Sequence, residues 1–439
     1  MENNQDTLPS VLTVGFDNEV LLALKTKFNV AFSIADSVNA DLNWHEFHEL
    51  DIDYAKPFID SKMQACLQNI RQHYLQFVDI NSRRHYYIPG RESETYNGFL
   101  ITFYKAYQLL TEKKIELILH ANIPHEGFDF IIHKIACHLG IPSVLCYQSL
   151  IPNRFWLTST VSEFGCHSTA PDLFEFEPSG YKLPDTWFYM RGSERDSSYG
   201  IGDLFFEVLR RPYRLPPALV RFAYAYQFRR NVQRLTTNFI KGNPFIYFPL
   251  HLQPELTTAA IGGIYADQIL ALETLSSLLP SNYLIYVKEN PKQTEKQRGP
   301  FFYKRLATLK NVRLLSKHEN SINLIRSSAG IATITGTAGW EALFYGKPVL
   351  VFGAAWYREF TGVTMFGDGF NIQHFLNSAP SEPTELVAEL DRALKKSGKG
   401  VVDPAYQELI PGFDKLENAQ LVAQSIFKFI QARTKTLYK

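Results

Sequence analysis

Short apolar runs alternate with segments of helical period along most of the chain, the pattern of a parallel α/β protein. Val11–Phe16 reads as a buried strand, Val20–Lys27 as a helix and Val30–Ile34 as a second strand. Residues 45–115 read mostly as helix, rich in aromatic and charged side chains. Ile115–Ala121 predicts a strand, Phe128–Leu139 a helix and Ser143–Tyr147 another strand; Gly140 and Pro142 form the stop between the last two. From 155 to 205 the pattern weakens into Ser, Gly and Pro, which reads as irregular structure.

A second alternation starts at Phe245–Leu250, after the Gly242-Asn243-Pro244 break. A helix carrying Ile269, Leu272 and Leu275 follows, then a strand at Tyr283–Lys288 and a helix near Phe301–Leu309. Val312–Leu315 predicts a strand and Ser321–Arg326 a helix. Ile331–Phe352 reads as strand, Gly/Thr turn, short helix, Gly346-Lys347-Pro348 stop and strand. Phe370–Phe375 and Thr384–Ser397 add elements, and a last helix runs from about Leu416 to Ala432. The predicted organisation is two Rossmann-like α/β domains facing a central cleft, over 1–240 and 241–410, with helix 411–439 packing back on the first.

The turn Thr335-Gly336-Thr337-Ala338-Gly339 is the most informative chemistry. Its glycines let the backbone approach a ligand, and a helix beginning near Ala338 would offer amides and a positive dipole end to an anion. Glu341, read on the first turn of that helix, would accept hydrogen bonds from ribose hydroxyls or stabilise the helix start. If the strands run parallel, two further loops open on the same edge. One carries His251, Gln253 and Glu255; the other carries Lys288, Asn290 and Lys292, with Arg298 beyond. They offer a base or nucleophile (Glu255, His251) and cations for phosphate (Lys288, Lys292, Arg298), although a lone His251 is more often structural. In the first domain, His125 and Glu126 follow a strand and suit general acid–base work, or else Glu126 and Asp129 cap the next helix.

Composition narrows the classes. The chain of 439 residues has 45% hydrophobic and 20% charged residues and a net charge of +1, which gives no global attraction to nucleic acid. Cys66, Cys137, Cys146 and Cys166 lack CxxC spacing, arguing against zinc and against a disulfide framework and for a reducing cytoplasm. The first residues show neither a basic nor an apolar signal segment, and no apolar run reaches membrane-spanning length. Segment 205–241 stands apart: Arg210, Arg211, Arg214, Arg221, Arg229, Arg230, Arg234 and Lys241 face one acid, Glu207, among many aromatics. Phe228, Val232, Leu235 and Phe239 fall at helical spacing, so the segment predicts a basic amphipathic helix for anionic lipid, or an interdomain packing helix.

Lys288-Glu289-Asn290-Pro291, Thr333–Ala342 and Gly346–Gly353 together resemble the capsule polysaccharide biosynthesis family, which includes GT-B β-Kdo transferases using CMP-Kdo. The similarity covers roughly 243–365, and the His125-Glu126 loop more loosely. The family's Lys-x-His-Pro reads Lys288-Glu289-Asn290-Pro291 here, with Asn290 at the histidine associated with the donor phosphate. Retaining members use an upstream aspartate as nucleophile; Glu255 is the nearest acidic residue at that place. The resemblance implies a glycosyltransferase of capsule or O-antigen synthesis, with a CMP-linked sugar donor, no cofactor and no metal. Such a transferase needs a glycan acceptor; with the basic segment 205–241 and the scattered cysteines, the expectation is a lipid-linked acceptor and a cytoplasmic protein peripheral at the inner membrane. The turn also resembles the nucleotide loop of GT-B epimerases, leaving a sugar-nucleotide epimerase or hydrolase, or a non-catalytic sugar-binding assembly subunit, as alternatives. Asp51-Ile52-Asp53 has the spacing of a metal motif of another transferase fold but lies in a polar helical stretch and is discounted.

Overall fold

The computed structural model describes residues 9–49, 60–82, 92–185, 187–188, 200–210, 215–240, 242–295, 298–378 and 382–437. Asp51, Asp53, Arg211, Arg214 and Lys241 lie outside them. The strands and helices begin with β1 (Ser10–Val14), α1 (Asn18–Lys27), β2 (Asn29–Ile34), α2 (Ser61–Ile70), α3 (Tyr74–Asn81), α4 (Glu92–Glu112), β3 (Leu117–His120), α5 (Phe128–Leu139), β4 (Ser143–Gln148) and β5 (Arg154–Thr158). There follow α6 (Ile201–Arg210), α7 (Leu215–Leu235), β6 (Thr236–Thr237), β7 (Phe245–Pro249), α8 (Gln268–Leu278), β8 (Leu284–Lys288), α9 (Pro300–Thr308), β9 (Val312–Leu315) and α10 (Ser321–Ser327). The rest are β10 (Gly330–Thr333), α11 (Thr337–Phe344), β11 (Val349–Val351), β12 (Val363–Met365), α12 (Ile372–Leu376), α13 (Pro383–Leu394), β13 (Gly398–Lys399) and α14 (Lys415–Leu437).

The chain forms two compact units, one from Met1–Asn81, Tyr87–Ser179 and Ala388–Lys439, the other from Ser82–Tyr86 and Gly180–Val387. Each holds a largely parallel sheet, so the α/β class of two Rossmann-like units is the one observed. The return to the first unit begins at Ala388, ahead of the position 411 read from the sequence.

In the first unit the order is β13-β5-β4-β3-β1-β2, with β2, β1, β3 and β4 parallel and β5 and β13 antiparallel at the edge. The parallel strands are nearly continuous apolar runs because both faces are covered. One cover is α1 with α14: Val20, Leu21 and Leu24 pack with Val422, Ala423, Ile426 and Phe429 over Val11, Leu119 and Val144. Burying such a side chain contributes ~1.5–3 kcal/mol, enough to hold the late helix on the early one. Strand β5 lies in the stretch read as irregular; its aromatic edge sequence has too short a pattern to separate it from loop.

The second unit has the order β12-β11-β10-β7-β8-β9-β6, all parallel. Setting aside the edge strand β6, this is the doubly wound Rossmann order, with its switch point between β7 and β10. The loops after β7, β8 and β10 therefore open on one edge, as the spacing predicts, and two of them flank the switch point.

Candidate functional site

The turn after β10 is built by side chains that point back into it. Thr333 Oγ1 accepts the Gly336 N–H at 3.1 Å and lies 2.8 Å from His251 Nε2. The Thr335 amide also reaches that nitrogen at 3.5 Å, and the Thr335 hydroxyl donates to Thr257 O at 2.7 Å. His251 is therefore an acceptor at Nε2 and neutral, and burial plus the Arg298 charge bring its pKa down to about 4. A side chain at Gly336 would meet His251 and Thr333 at 2.9 Å, so only glycine permits the turn to close on this imidazole. Gly353 similarly lets the bend just after β11 touch Ile261 O and Thr335. Gly336 caps α11, and its amides at Thr337 and Ala338 open the helix on the binding edge. Gly339 is buried under Tyr357, whose hydroxyl donates to Gly336 O.

Several residues read as ligand groups are instead the frame of this edge. Arg298 is 1% exposed. Its Nε faces Glu289 at 3.2 Å, Nη1 donates to Gln253 Oε1 at 3.0 Å and Nη2 to His251 O at 3.0 Å. Tyr303 also donates to Glu289, at 3.2 Å. Gln253 accepts from Arg298 and from Gln268 Nε2 and donates to Ala266 O, while Gln293 bonds the Gln253 backbone on both sides. Gln253 and Arg298 thus join the loops after β7 and β8, with the polar groups read as donor ligands bonded within this frame. His251, read as a base candidate, clamps the turn through Thr333 and Thr335. Lys288 is buried too, donating to Glu319 O at 2.9 Å and Ser321 Oγ at 2.5 Å, where it fixes the start of α10. Burial lowers its pKa against the opposing pull of Glu319 and Glu341. Asn290 accepts the Lys292 amide at 2.9 Å, closing the tip of its loop.

Glu341 and Glu255 remain half-buried at this edge. Glu255 leads into the turn 256–260, its amide held by Thr258 Oγ1 at 3.3 Å. Glu341 is the fifth residue of α11, in its second turn, which removes the helix-start role read for it. Its Oε1 accepts the indole N–H of Trp187. Burial raises its pKa; the Trp187 bond and the Lys288 charge oppose this. Trp187, Tyr181, Ser321 and Gln268 were invisible to sequence reasoning. The one signal for the first two is a pair of aromatics inside an otherwise weakly patterned stretch. A cavity of about 390 Å³ lined by Thr237, Asn238, Ile240, Leu284, Tyr286 and Arg313 sits at the opposite, N-terminal end of these strands and is not part of this edge.

In the first unit the loop after β3 is organised by Asp129. Its carboxylate accepts the amides of His125 (3.1 Å), Glu126 (2.7 Å) and Phe130 (2.6 Å). Burial raises the Asp129 pKa, while the His125 charge and the amides of Glu126 and His125 pull it down. Asp129, in the first turn of α5, thus braces the loop that leads into the helix. Glu126 lies beside His125, Oε1 to Nε2 at 3.6 Å, and His125 Nδ1 donates to Ile123 O at 2.8 Å, which aims Nε2 at the carboxylate. The pair is 15% and 12% exposed, so it is open to a ligand yet oriented.

The basic segment is two helices. The stripe Phe228, Val232 and Leu235 of α7 packs into the core of the second unit, and Phe239 stacks near Phe245 and Tyr286, so that stripe is a packing face and not a lipid face. Arg221 pairs with Glu295 at 3.5 Å. Exposed apolar side chains lie on α6, where Ile201, Phe205 (62% exposed), Phe206 (60%) and Leu209 are open to solvent, and on α7 at Leu219, Val220 and Tyr226. Among the described residues no helix is long and apolar enough to cross a membrane, and no group of three His, Cys, Asp or Glu forms a metal site.

The sheet with the three-loop edge lies within a stretch that a family model matches. Residues 217–394 match the capsule polysaccharide biosynthesis protein family. No curated protein matches the chain. Among solved structures, the β-Kdo 2,7 transferase of Thermosulfurimonas dismutans KpsC is similar at 12% identity, covering 72% of this chain and 88% of that one, with a TM-score of 0.35. The β-Kdo 2,4 transferase of the same protein is 13% identical over 67% and 88%, at 0.32. UDP-GlcNAc 2-epimerase from Neisseria meningitidis, bound to UDP-GlcNAc, is 15% identical over 96% and 99%, at 0.23. The capsule-family segment contains the turn, Glu255, Lys288 and Glu341; the His125-Glu126 pair lies outside it.

Proposed function

We propose that the protein is a glycosyltransferase of bacterial capsule or O-antigen synthesis whose donor is a nucleotide-activated sugar, with CMP-Kdo or a related CMP-linked acidic sugar favoured. The observation that carries this reading is a helix start and a half-buried carboxylate, Glu341, at the switch point of a Rossmann sheet inside the capsule-family segment. The α11 amides hold the leaving phosphate and Glu341 holds the ribose, with Lys292 adding a cation on the neighbouring loop. In transfer the bond from the anomeric carbon to the phosphate oxygen breaks, the acceptor oxygen bonds that carbon, and the acceptor proton passes to a carboxylate. Glu126 is that base, oriented beside His125. Glu255 is the second carboxylate, a stabiliser or nucleophile. No cofactor takes part in these steps.

A thermal-shift panel of CMP, UDP and GDP tests the donor site. CMP at about 100 times its dissociation constant should add ~2.7 kcal/mol, a rise of ~5–10 °C for a unit of this size. No shift with any nucleotide would remove the donor-site reading.

The acceptor in this reading is a lipid-linked glycan, which brings the protein to the cytoplasmic face of the inner membrane. The exposed Phe205, Phe206 and Leu209 of α6, next to a helix bearing Arg229, Arg230 and Arg234, suit an anionic lipid surface. The protein is expected to pellet with anionic liposomes at low salt and release as salt rises, since the attraction decays over ~8 Å at physiological ionic strength. Phe205→Ser with Phe206→Ser should abolish pelleting. Indifference of the unmodified protein to anionic vesicles would remove the membrane from the reading.

A further inference from the structure

Two aromatic residues from outside the sheet, Tyr181 and Trp187, contact α11. Tyr181 accepts the Trp340 indole N–H at 3.0 Å, and its ring packs at 6.1 Å from Trp340 and 5.9 Å from Phe344. Six residues on, Trp187 is 8% exposed and donates its indole N–H to Glu341 Oε1. Both contacts fall on one helix, so Tyr181 and Trp187 together act as a strap along α11, ending on the Glu341 carboxylate.

We infer that Trp187 competes with the nucleotide for Glu341, so that the strap sets the occupancy of the donor site. This rests on the donor-site reading above. A vicinal diol donates two hydrogen bonds and engages both oxygens of a carboxylate, whereas here the bulky indole already covers Oε1. Withdrawing the indole alone leaves a half-buried carboxylate short of a donor, and burial already raises its pKa. The strap therefore leaves Glu341 only when another donor, the ribose, replaces it. Donor binding becomes an exchange of one hydrogen-bonded partner for another, and the affinity is lowered by the stability of the closed strap.

Calorimetric titration of CMP, UDP and GDP into the unmodified protein, Trp187→Phe and Tyr181→Phe tests this. Trp187→Phe keeps a ring in the strap but removes the donor. It is expected to tighten binding of the preferred nucleotide about tenfold, roughly one charge-assisted hydrogen bond. Tyr181→Phe, which loosens the anchor one step away, should act in the same direction and more weakly. The nucleotide-induced change in tryptophan fluorescence of the unmodified protein should shrink in Trp187→Phe. Weaker binding by Trp187→Phe would make Trp187 a contact of the bound nucleotide, and unchanged binding would make it a packing residue; either overturns the exchange. If none of the three proteins binds any nucleotide, the donor-site reading fails and the exchange fails with it.

Discussion

Replacing Glu126 by Gln is expected to lower the rate of sugar transfer about 10²–10⁴-fold, the range of a positioned acid–base group, with nucleotide affinity unchanged. The size of the effect follows from the division of labour in the loop after β3. Asp129 takes three backbone amides and so holds the loop. Gln at 126 keeps the volume of the side chain and leaves that brace in place, so the loss falls on proton transfer and not on folding. His125 stays anchored through Nδ1 on Ile123 O. Its Nε2 then faces an amide where it faced a carboxylate, and an amide cannot take the acceptor proton that the proposed mechanism assigns to Glu126. Glu255→Gln distinguishes the second carboxylate's role: a nucleophile loses transfer as completely as the base does, whereas a stabiliser loses less. Measuring nucleotide release with and without acceptor separates transfer from the hydrolase alternative, and release without acceptor at the full rate would favour hydrolysis. Undiminished transfer by Glu126→Gln would take that residue out of the mechanism.

The frame of both units was legible because parallel strands buried on two faces leave long apolar runs, such as Leu117–Leu119 and Val349–Val351, and because Gly-Pro stops separate them. The turn at Thr333–Thr337 was legible for a local reason: its glycines and hydroxyls act within a few residues of one another. What the sequence concealed is burial and distance. Arg298 looks like a surface cation after a strand, yet its partners are Glu289, at the far end of its own loop, and Gln253 and His251 on the loop after β7. Lys288 has the same charge and the same strand-end position a phosphate ligand needs, and folding turns it toward Ser321 instead. Trp187 is 154 residues from Glu341, and its stretch lacks the period that would have placed it. The stripe at Phe228, Val232 and Leu235 has the spacing of a lipid-facing helix, but such spacing says only that one face is apolar, and that face went into the core. The exposed Phe205 and Phe206 on the preceding helix carry the same chemistry without the longer pattern.

Replacing Arg298 by Met is expected to destabilise the second unit by ~3–5 kcal/mol, the cost of stranding one partner of a buried ion pair. The guanidinium bonds the Glu289 carboxylate, the Gln253 amide oxygen and the His251 carbonyl, and packs 4.4 Å from the Phe302 ring. Met fills much of the volume but satisfies none of these acceptors. For a unit of about this size the loss lowers the melting temperature by roughly 10 °C. Because Arg298 joins the loops after β7 and β8, its removal also frees the Gln253 segment that His251 needs to hold the turn after β10. Nucleotide affinity should therefore fall less than stability does, and only through this loosening. Adding Glu289→Gln to Arg298→Met removes the stranded charge and should recover a large part of the loss, a coupling that a double-mutant cycle measures directly. The contrary result is equally clear. If Arg298→Met melts like the unmodified protein but no longer binds nucleotide, the guanidinium leaves its buried partners to meet the donor phosphate, and the scaffold role assigned to it is wrong.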